Sequence, residues 1–417
     1  MSSLYRNSSV RNSRVRLAVR LACAAAAACA TPAAFADIDW VFDPRIEAGA
    51  VYNDNYRLTD QRGQEIEVKG GDIDAALGIR GADQRSQYAL TPRIRSTFFP
   101  DASSEEATDY YLGGSAENRT QRFLSKLQAQ FADESVVSSE LLAADFPGLG
   151  LGQTVSGDTG LVTVRNRRRL ITVNPDFSYD WTTRRHVVFG VAYVDVKYQD
   201  QVAQQVGFKD YDGYAGLLWD VSQRHTFSVR VTGDRFTPDD NTQDINTGGV
   251  VAEWRTAASA ITSYYFRLGV NHSDRNATDT QPGLSSTNLN GGLGAEWHFQ
   301  ATQLVLDAMQ TTAPSGSGTV VERDEVRFRL VRTFQPRLSG FVALRGIRTN
   351  GLGNEVVSVR DRKYAAGSTG FEWRANRQFS LHGEYDYTWQ KFADQPNDAS
   401  SNGVIVSVIY EPRRLNN

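Results

Sequence analysis

The chain has 417 residues, with 45 Lys and Arg against 48 Asp and Glu, 40% hydrophobic residues, 35 Gly, 12 Pro and two Cys. This excludes a small disulfide scaffold and a fibrous repeat, and 11% aromatic residues argue against wholesale disorder. A soluble chain of this length would divide into two or three domains, but one pattern runs through all of it.

Residues 1–36 carry Arg6, Arg11, Arg14, Arg16 and Arg20 and no acidic residue. An apolar run from Leu21 to Ala30 follows, then Ala34-Phe35-Ala36 before Asp37. A basic start, a short apolar stretch and an A-x-A site predict a cleaved secretory signal peptide. The run is too short for a spanning helix, which needs about 20 residues. Without it, 381 residues remain with 40 basic and 48 acidic side chains, a net charge of −8. Nucleic acid is then a poor partner. Cys23 and Cys29 both leave with the leader, which excludes cysteine nucleophiles and cysteine zinc sites.

From there the chain alternates with a period of two. In 45–53, 71–81, 86–98, 107–118, 121–133 and 168–181 the runs read as strands with one apolar and one polar face. In 187–198 the even positions Val188, Gly190, Ala192, Val194, Val196 and Tyr198 make the apolar face, and Asp195 and Lys197 lie opposite. In 226–236 Phe227, Val229, Val231 and Gly233 oppose Ser228, Arg230, Thr232 and Asp234. Further strands are expected at 208–220, 241–255, 260–273, 286–299, 302–312, 320–333, 337–349 and 361–374. In 378–391 Phe379, Leu381, Gly383, Tyr385, Tyr387 and Trp389 oppose Ser380, His382, Glu384, Asp386 and Thr388, and 403–410 closes the series.

Strands of 10–14 residues suit a tilted membrane crossing. Trp181, Trp219, Trp254, Trp297 and Trp373 stand just before short turns, as an interfacial girdle would. Short turns such as 181–186, 219–225 and 254–259 alternate with longer loops at 54–70, 99–106, 134–167, 199–207, 236–243, 274–285, 312–319, 349–361 and 392–402. The expected fold is all-β: one transmembrane antiparallel up-and-down barrel of 16–18 strands over 37–410, with a periplasmic tail at 411–417. A propeller would need four short strands per repeat, not two long ones.

With apolar faces toward lipid, the opposite faces line a lumen. Its basic residues are then Arg93, Arg95, Lys126, Arg230, Arg267, Arg327, Arg329 and Arg345. Its acidic residues include Asp176, Asp195, Asp210, Asp212, Asp234, Glu253, Asp307, Glu325, Glu384 and Asp386, and its tyrosines are Tyr111, Tyr214, Tyr265 and Tyr364. Mixed charge and aromatic rings suit sugar hydroxyls, and the arginines suit an acidic polymer; a plain solvated channel wall is the other reading. The loop 134–167 holds FPGLGLG (146–152), which either folds inward as a constriction or stays outside.

Catalysis finds little support. His382, Glu384 and Asp386 share one strand face and could form an acid/base or metal cluster, but a hydrated lumen stripe explains them better. His272 is followed by Ser273 and Asp274, and neighbours on a strand point to opposite faces, so they make no triad. The run 237–244 lacks EF-hand spacing, and no phosphate-binding loop or zinc-protease motif is present. No catalytic residue, metal or cofactor is expected.

The last strand, Ser401 to Tyr410, resembles the C-terminal insertion signal of bacterial outer-membrane proteins. Residues Arg45 to Leu58, with Tyr52-Asn53-Asp54-Asn55, and turns such as Trp219 to His225 resemble the β-barrel porin 2 family. That resemblance implies an outer-membrane protein associated with exopolysaccharide synthesis and exosortase-type systems. The implied function is passage of exopolysaccharide across the outer membrane of a Gram-negative bacterium, with periplasmic synthesis proteins as partners. The alternatives are a general small-solute porin and a structural or adhesive surface barrel.

Overall fold

The computed structural model describes residues 38–141, 164–202, 205–240, 244–275, 283–352, 361–412 and 415–416. The expected leader, with its expected cleavage site, and FPGLGLG lie outside the described residues. The strands are β1 (Asp39–Asn53), β2 (Val68–Ala82), β3 (Ser86–Phe98), β4 (Ala107–Arg119), β5 (Phe123–Ser135) and β6 (Arg167–Thr182). Next come β7 (Arg185–Tyr198), β8 (Phe208–Asp220), β9 (His225–Pro238), β10 (Ile245–Ser259), β11 (Thr262–Arg275) and β12 (Leu284–Phe299). The series ends with β13 (Thr302–Ser315), β14 (Thr319–Gln335), β15 (Leu338–Gly351), β16 (Arg362–Arg374), β17 (Phe379–Phe392) and β18 (Ala399–Tyr410).

Each strand pairs antiparallel with the next, and β1 closes on β18 from Ile46↔Tyr410 to Asn53↔Gly403. The result is a closed barrel of eighteen strands, as the alternation predicts. Closure leaves no free edge where the chain's ends meet. The tail adds a two-residue strand, β19 (Leu415–Asn416), whose backbone pairs with Val41 and Phe42 of β1. Short turns such as 183–184 and 300–301 gather at one end; longer loops such as 54–67 and 199–207 gather at the other. One member of the long-loop end is itself tight: β13 and β14 run on until only residues 316–318 join them.

Pleating sends successive side chains to opposite faces. Outside, Ile73, Leu90, Ile94, Val191, Val231, Val250, Leu268, Leu293, Val326, Leu344 and Val406 are exposed and form an apolar band. An exposed apolar surface that encircles a molecule asks for lipid. Trp181, Trp254 and Trp373 are exposed on the same face, close to the short turns. By parity Trp219 and Trp297 share it, so the expected girdle forms.

The reading of 187–198 needs correction. Phe189 and Val191 are exposed, Val191 at 57%, while Val188 and Val196 are buried, Val196 at 1%. The even positions therefore face inward, and Asp195 points outward. There it lies 3.4 Å from the Tyr193 hydroxyl and 3.9 Å from Lys197. Both faces of β7 are apolar, so alternation alone could not decide which one meets lipid.

The even face of β7 points inward because the barrel has an internal apolar core at its long-loop end. One cluster joins Ala132, Leu170, Val196, Phe208, Phe236, Ile245, Val320 and Leu352. A second joins Tyr56, Leu58, Val68, Phe99, Val137, Tyr364, Ala366 and Ala399. Burial of the Tyr56 phenol pushes its pKa up to about 12, which keeps it neutral. Val137 belongs to a short helix, α1 (Val136–Leu141), at the start of the long loop. Its place in one cluster with inward-facing Tyr364 and Ala366 puts this part of the loop inside the lumen.

The β13–β14 hairpin also folds inward. β9 and β14 approach within 8 Å between Cα atoms, although five strand spacings of about 4.8 Å separate them along the wall. The Val206 N–H donates to the Gly316 carbonyl at 2.8 Å, joining the β7–β8 loop to the hairpin tip. Gly318 has φ +85°, and a Cβ there would lie 2.9 Å from the Val206 Cβ, so a side chain fits neither the turn nor the contact. Val320 then packs with Phe208 and Phe236. Each such side chain contributes about 1.5–3 kcal/mol on burial. The inward lean has a structural cost: β12 and β13 pair only from Phe299↔Thr302 to Gly291↔Gln310. Beyond that, Leu284–Asn290 pairs only with β11 and Thr311–Ser315 only with β14.

Candidate functional site in the barrel lumen

Apart from β7, whose inner face is apolar, the inner wall is largely polar toward the short-turn end and through the middle. On β3, Arg93 donates to Asp74 at 2.8 Å, Arg95 lies 3.5 Å from Asp72, and the Arg93 guanidinium sits 5.3 Å from the Tyr111 ring. On β10 and β11, Glu253 accepts from Arg267 at 2.6 Å and also from Arg255. On β13 to β15, Arg327 pairs with Asp307, and Glu325 accepts from Arg345 at 2.9 Å and pairs with Arg323 at 2.9 Å.

Two tyrosines lie flat along this wall. Tyr265 on β11 crosses β12 and donates to Asp307 on β13. The crossing needs Gly294, where a Cβ would lie 2.6 Å from the tyrosine ring. Arg255 and Arg267 flank the Tyr265 ring at 5.6 and 5.7 Å. Tyr214 on β8 repeats the arrangement: it crosses β7 at Gly190, donates to Asp176 at 2.7 Å and carries Arg230 at 5.2 Å. Each unit locks a ring against the wall and presents a guanidinium above it.

The residues expected in the lumen are almost all there. Arg93, Arg95, Arg230, Arg267, Arg327, Arg329, Tyr265, Glu384 and Asp386 lie on inward faces, and Asp195 alone among the charged residues read as lumenal does not. They do not converge on one point but spread around the circumference. His382 stands between Glu47 at 3.5 Å and Glu384 at 3.4 Å. Opposite, Asp210, Asp212 and Asp234 face inward from β8 and β9, with Asp212 directly across from Asp234. Among the described residues, no group of His, Cys, Asp and Glu is arranged to hold a metal ion.

The charges are unequally hydrated. Asp307, Glu325 and Arg345 side chains are almost fully buried, whereas Lys126 and Arg93 keep 48% and 37% exposure. Buried pairs serve the wall; breaking one strands a desolvated charge. The exposed ones meet solvent.

Sequence reasoning missed the apolar mouth and the tyrosine bridges. For the mouth a signal exists: Phe236 has the parity of Ser228, Arg230 and Asp234, so an aromatic at that end of the polar face marks an inward contact. The bridges depend on register between strands, which no single strand encodes.

No known protein family matches the chain, and no curated protein matches it. The resemblance to the β-barrel porin 2 family thus gains no support there. Among solved structures, the chain is similar to Pseudomonas aeruginosa OccK5 (OpdH), with 10% identity, 90% of this chain and 99% of that chain covered, and a TM-score of 0.46. It is likewise similar to Acinetobacter baumannii OccAB4, with 8% identity, 92% and 100% covered, and a TM-score of 0.47. A BenF-like porin from Pseudomonas fluorescens Pf-5 shows 8% identity, 91% and 99% covered, and a TM-score of 0.48.

Proposed function

We propose that the protein is an outer-membrane channel for small polar solutes. The observation that carries this reading is a closed barrel with an apolar outer band and an inner wall of charged side chains. Such a wall is stable only against water, and a hydrated bore through a membrane passes solutes. Arg93, Arg95, Arg230, Arg267, Arg327, Arg329, Tyr265, Glu384 and Asp386 would border the path. Lipid is the outer partner; periplasmic synthesis proteins are not needed for passive flux.

A small solute is favoured over an exopolysaccharide chain. Inward loops, two apolar clusters and the β9–β14 approach narrow the long-loop end. A polymer needs a continuous bore, and apolar side chains offer its hydroxyls no hydrogen bonds. The test is planar-bilayer conductance of the purified barrel. Steady openings are expected, with cation preference raised in Arg93→Ala. A folded barrel that never conducts and never admits small solutes into liposomes overturns the reading and leaves a structural barrel.

A further inference from the structure

We propose that the half-open seam between β12 and β13 is a side port to the lumen, taking small uncharged solutes rich in hydroxyl groups. The proposal rests on the channel reading above but concerns a second route, apart from the charge-lined one.

Backbone N–H and C=O groups need partners. Along Leu284–Asn290 and Thr311–Ser315 the backbone edges that would face each other do not pair, and at the base of the gap only the Thr312 hydroxyl reaches across, 3.5 Å from the Asn290 Oδ1. A barrel wall in lipid does not tolerate such edges. The seam must therefore be wet, and its position agrees. At its base Leu289, 61% exposed, continues the outer apolar row of Val250 and Val270. Across from it the outer face of β13 is polar, with Gln310 and Thr312. The seam thus starts at the upper edge of the apolar band and runs toward the long-loop end.

Behind the seam lies a compartment bounded by β10 to β13. The inward hairpin, pinned to β9 and to Val206, separates it from the rest of the mouth. Its inner surface carries Thr247, Asn271, Ser273, Asn288, Asn290 and Thr311. Charge lies below, at Glu253, Arg267 and Asp307, above, at Arg275 on the rim, and beside Thr311, where Arg323 pairs with Glu325 at 2.9 Å. Asn271 and Asn288 are directly opposite on β11 and β12. The Asn271 Oδ1 and the Asn288 Nδ2 are both buried without a hydrogen-bond partner. Buried polar atoms seek partners. The Asn271 Oδ1 lies over Gly249 on β10, and an acceptor and a donor on this one face match hydroxyls, which donate and accept at once.

The test closes the seam while leaving the rest of the lumen intact. Cys23 and Cys29, the only native cysteines, belong to the leader stretch. Asn290→Cys with Thr311→Cys places a disulfide across the first unpaired position. In liposomes, oxidation is expected to slow uptake of a neutral pentose several-fold, with recovery on reduction, while potassium chloride conductance stays nearly unchanged. Unchanged pentose uptake in the cross-linked protein, or equal loss of both fluxes, overturns the proposal. The single variant Asn290→Cys gives a second reading. A membrane-impermeant, charged thiol reagent is expected to label it from outside and to slow pentose uptake. Failure to label, or labelling without slowing, also overturns it. A native barrel that passes neither ions nor pentose would instead defeat the channel reading itself.

Discussion

Two seams interrupt the sequence of hairpins differently. At β1–β18 the chain's distant ends meet, and pairing runs unbroken from Ile46↔Tyr410 to Asn53↔Gly403, with β19 extending it. At β12–β13 the strands are joined by residues 300–301, yet pairing stops at Gly291↔Gln310. Proximity in sequence therefore does not decide where a barrel zips. At β1–β18 nothing competes with the ladder. At β12–β13 the ladder competes with Phe208, Phe236 and Val320, which bury together only if the β13–β14 hairpin leans inward.

The largest effect is expected at the base of the open seam. Asp307 ties β13 to β14 through Arg327 and to β11 through Tyr265. Asp307→Ala removes the buried carboxylate from both and should cost about 3–5 kcal/mol. The temperature at which the folded barrel loses its compact gel mobility measures this. A shift no larger than that of an outward alanine substitution would contradict the role given to the network.

Phe236→Ala should cost about 3 kcal/mol, in the range for a buried aromatic. Its sharper consequence is on the hairpin: with that contact gone, β12 and β13 should zip further and the mouth widen. Single-channel conductance should rise. An unchanged conductance would separate the cluster from the seam.

Gly318→Val strains a turn at φ +85° and meets Val206, at a cost of about 1–3 kcal/mol. The hairpin tip should detach from the β7–β8 loop, read as faster proteolysis near 316–318. Protection equal to the native protein would contradict the pinning.

The smallest effect lies away from both seams. In the turn 83–85 the Asp83 carboxylate accepts from the Arg85 and Ser86 N–H groups at 2.6 and 2.7 Å. These bonds hold its pKa below the usual carboxylate range. A lowered folded pKa contributes stability that is present above the unfolded pKa, about 3.9, and lost as pH falls through the folded value. Asp83→Asn should flatten the acid side of the stability profile slightly. An unaltered profile below pH about 4 would remove this contribution.

Much of the fold is legible because period-two alternation is a property of each strand alone. All eighteen strands appear near their expected places, including 71–81, 107–118 and 241–255, where the alternation is least regular. The inward charges follow from the same parity. What sequence leaves open is sided. On β7 both Val188 and Phe189 faces are apolar, and only the tertiary fold shows which one packs against Phe208. The seam and the Tyr265–Gly294–Asp307 crossing involve register between strands and the competition of distant contacts, neither of which is written in any one segment.

The most direct test of the whole account is single-channel conductance with neutral polymers of graded size added at the long-loop side. A hydrated but pinched bore predicts steady openings that only the smallest polymers reduce, with long polysaccharide chains excluded. Openings that long chains thread and block, or no openings from a folded barrel, would contradict it.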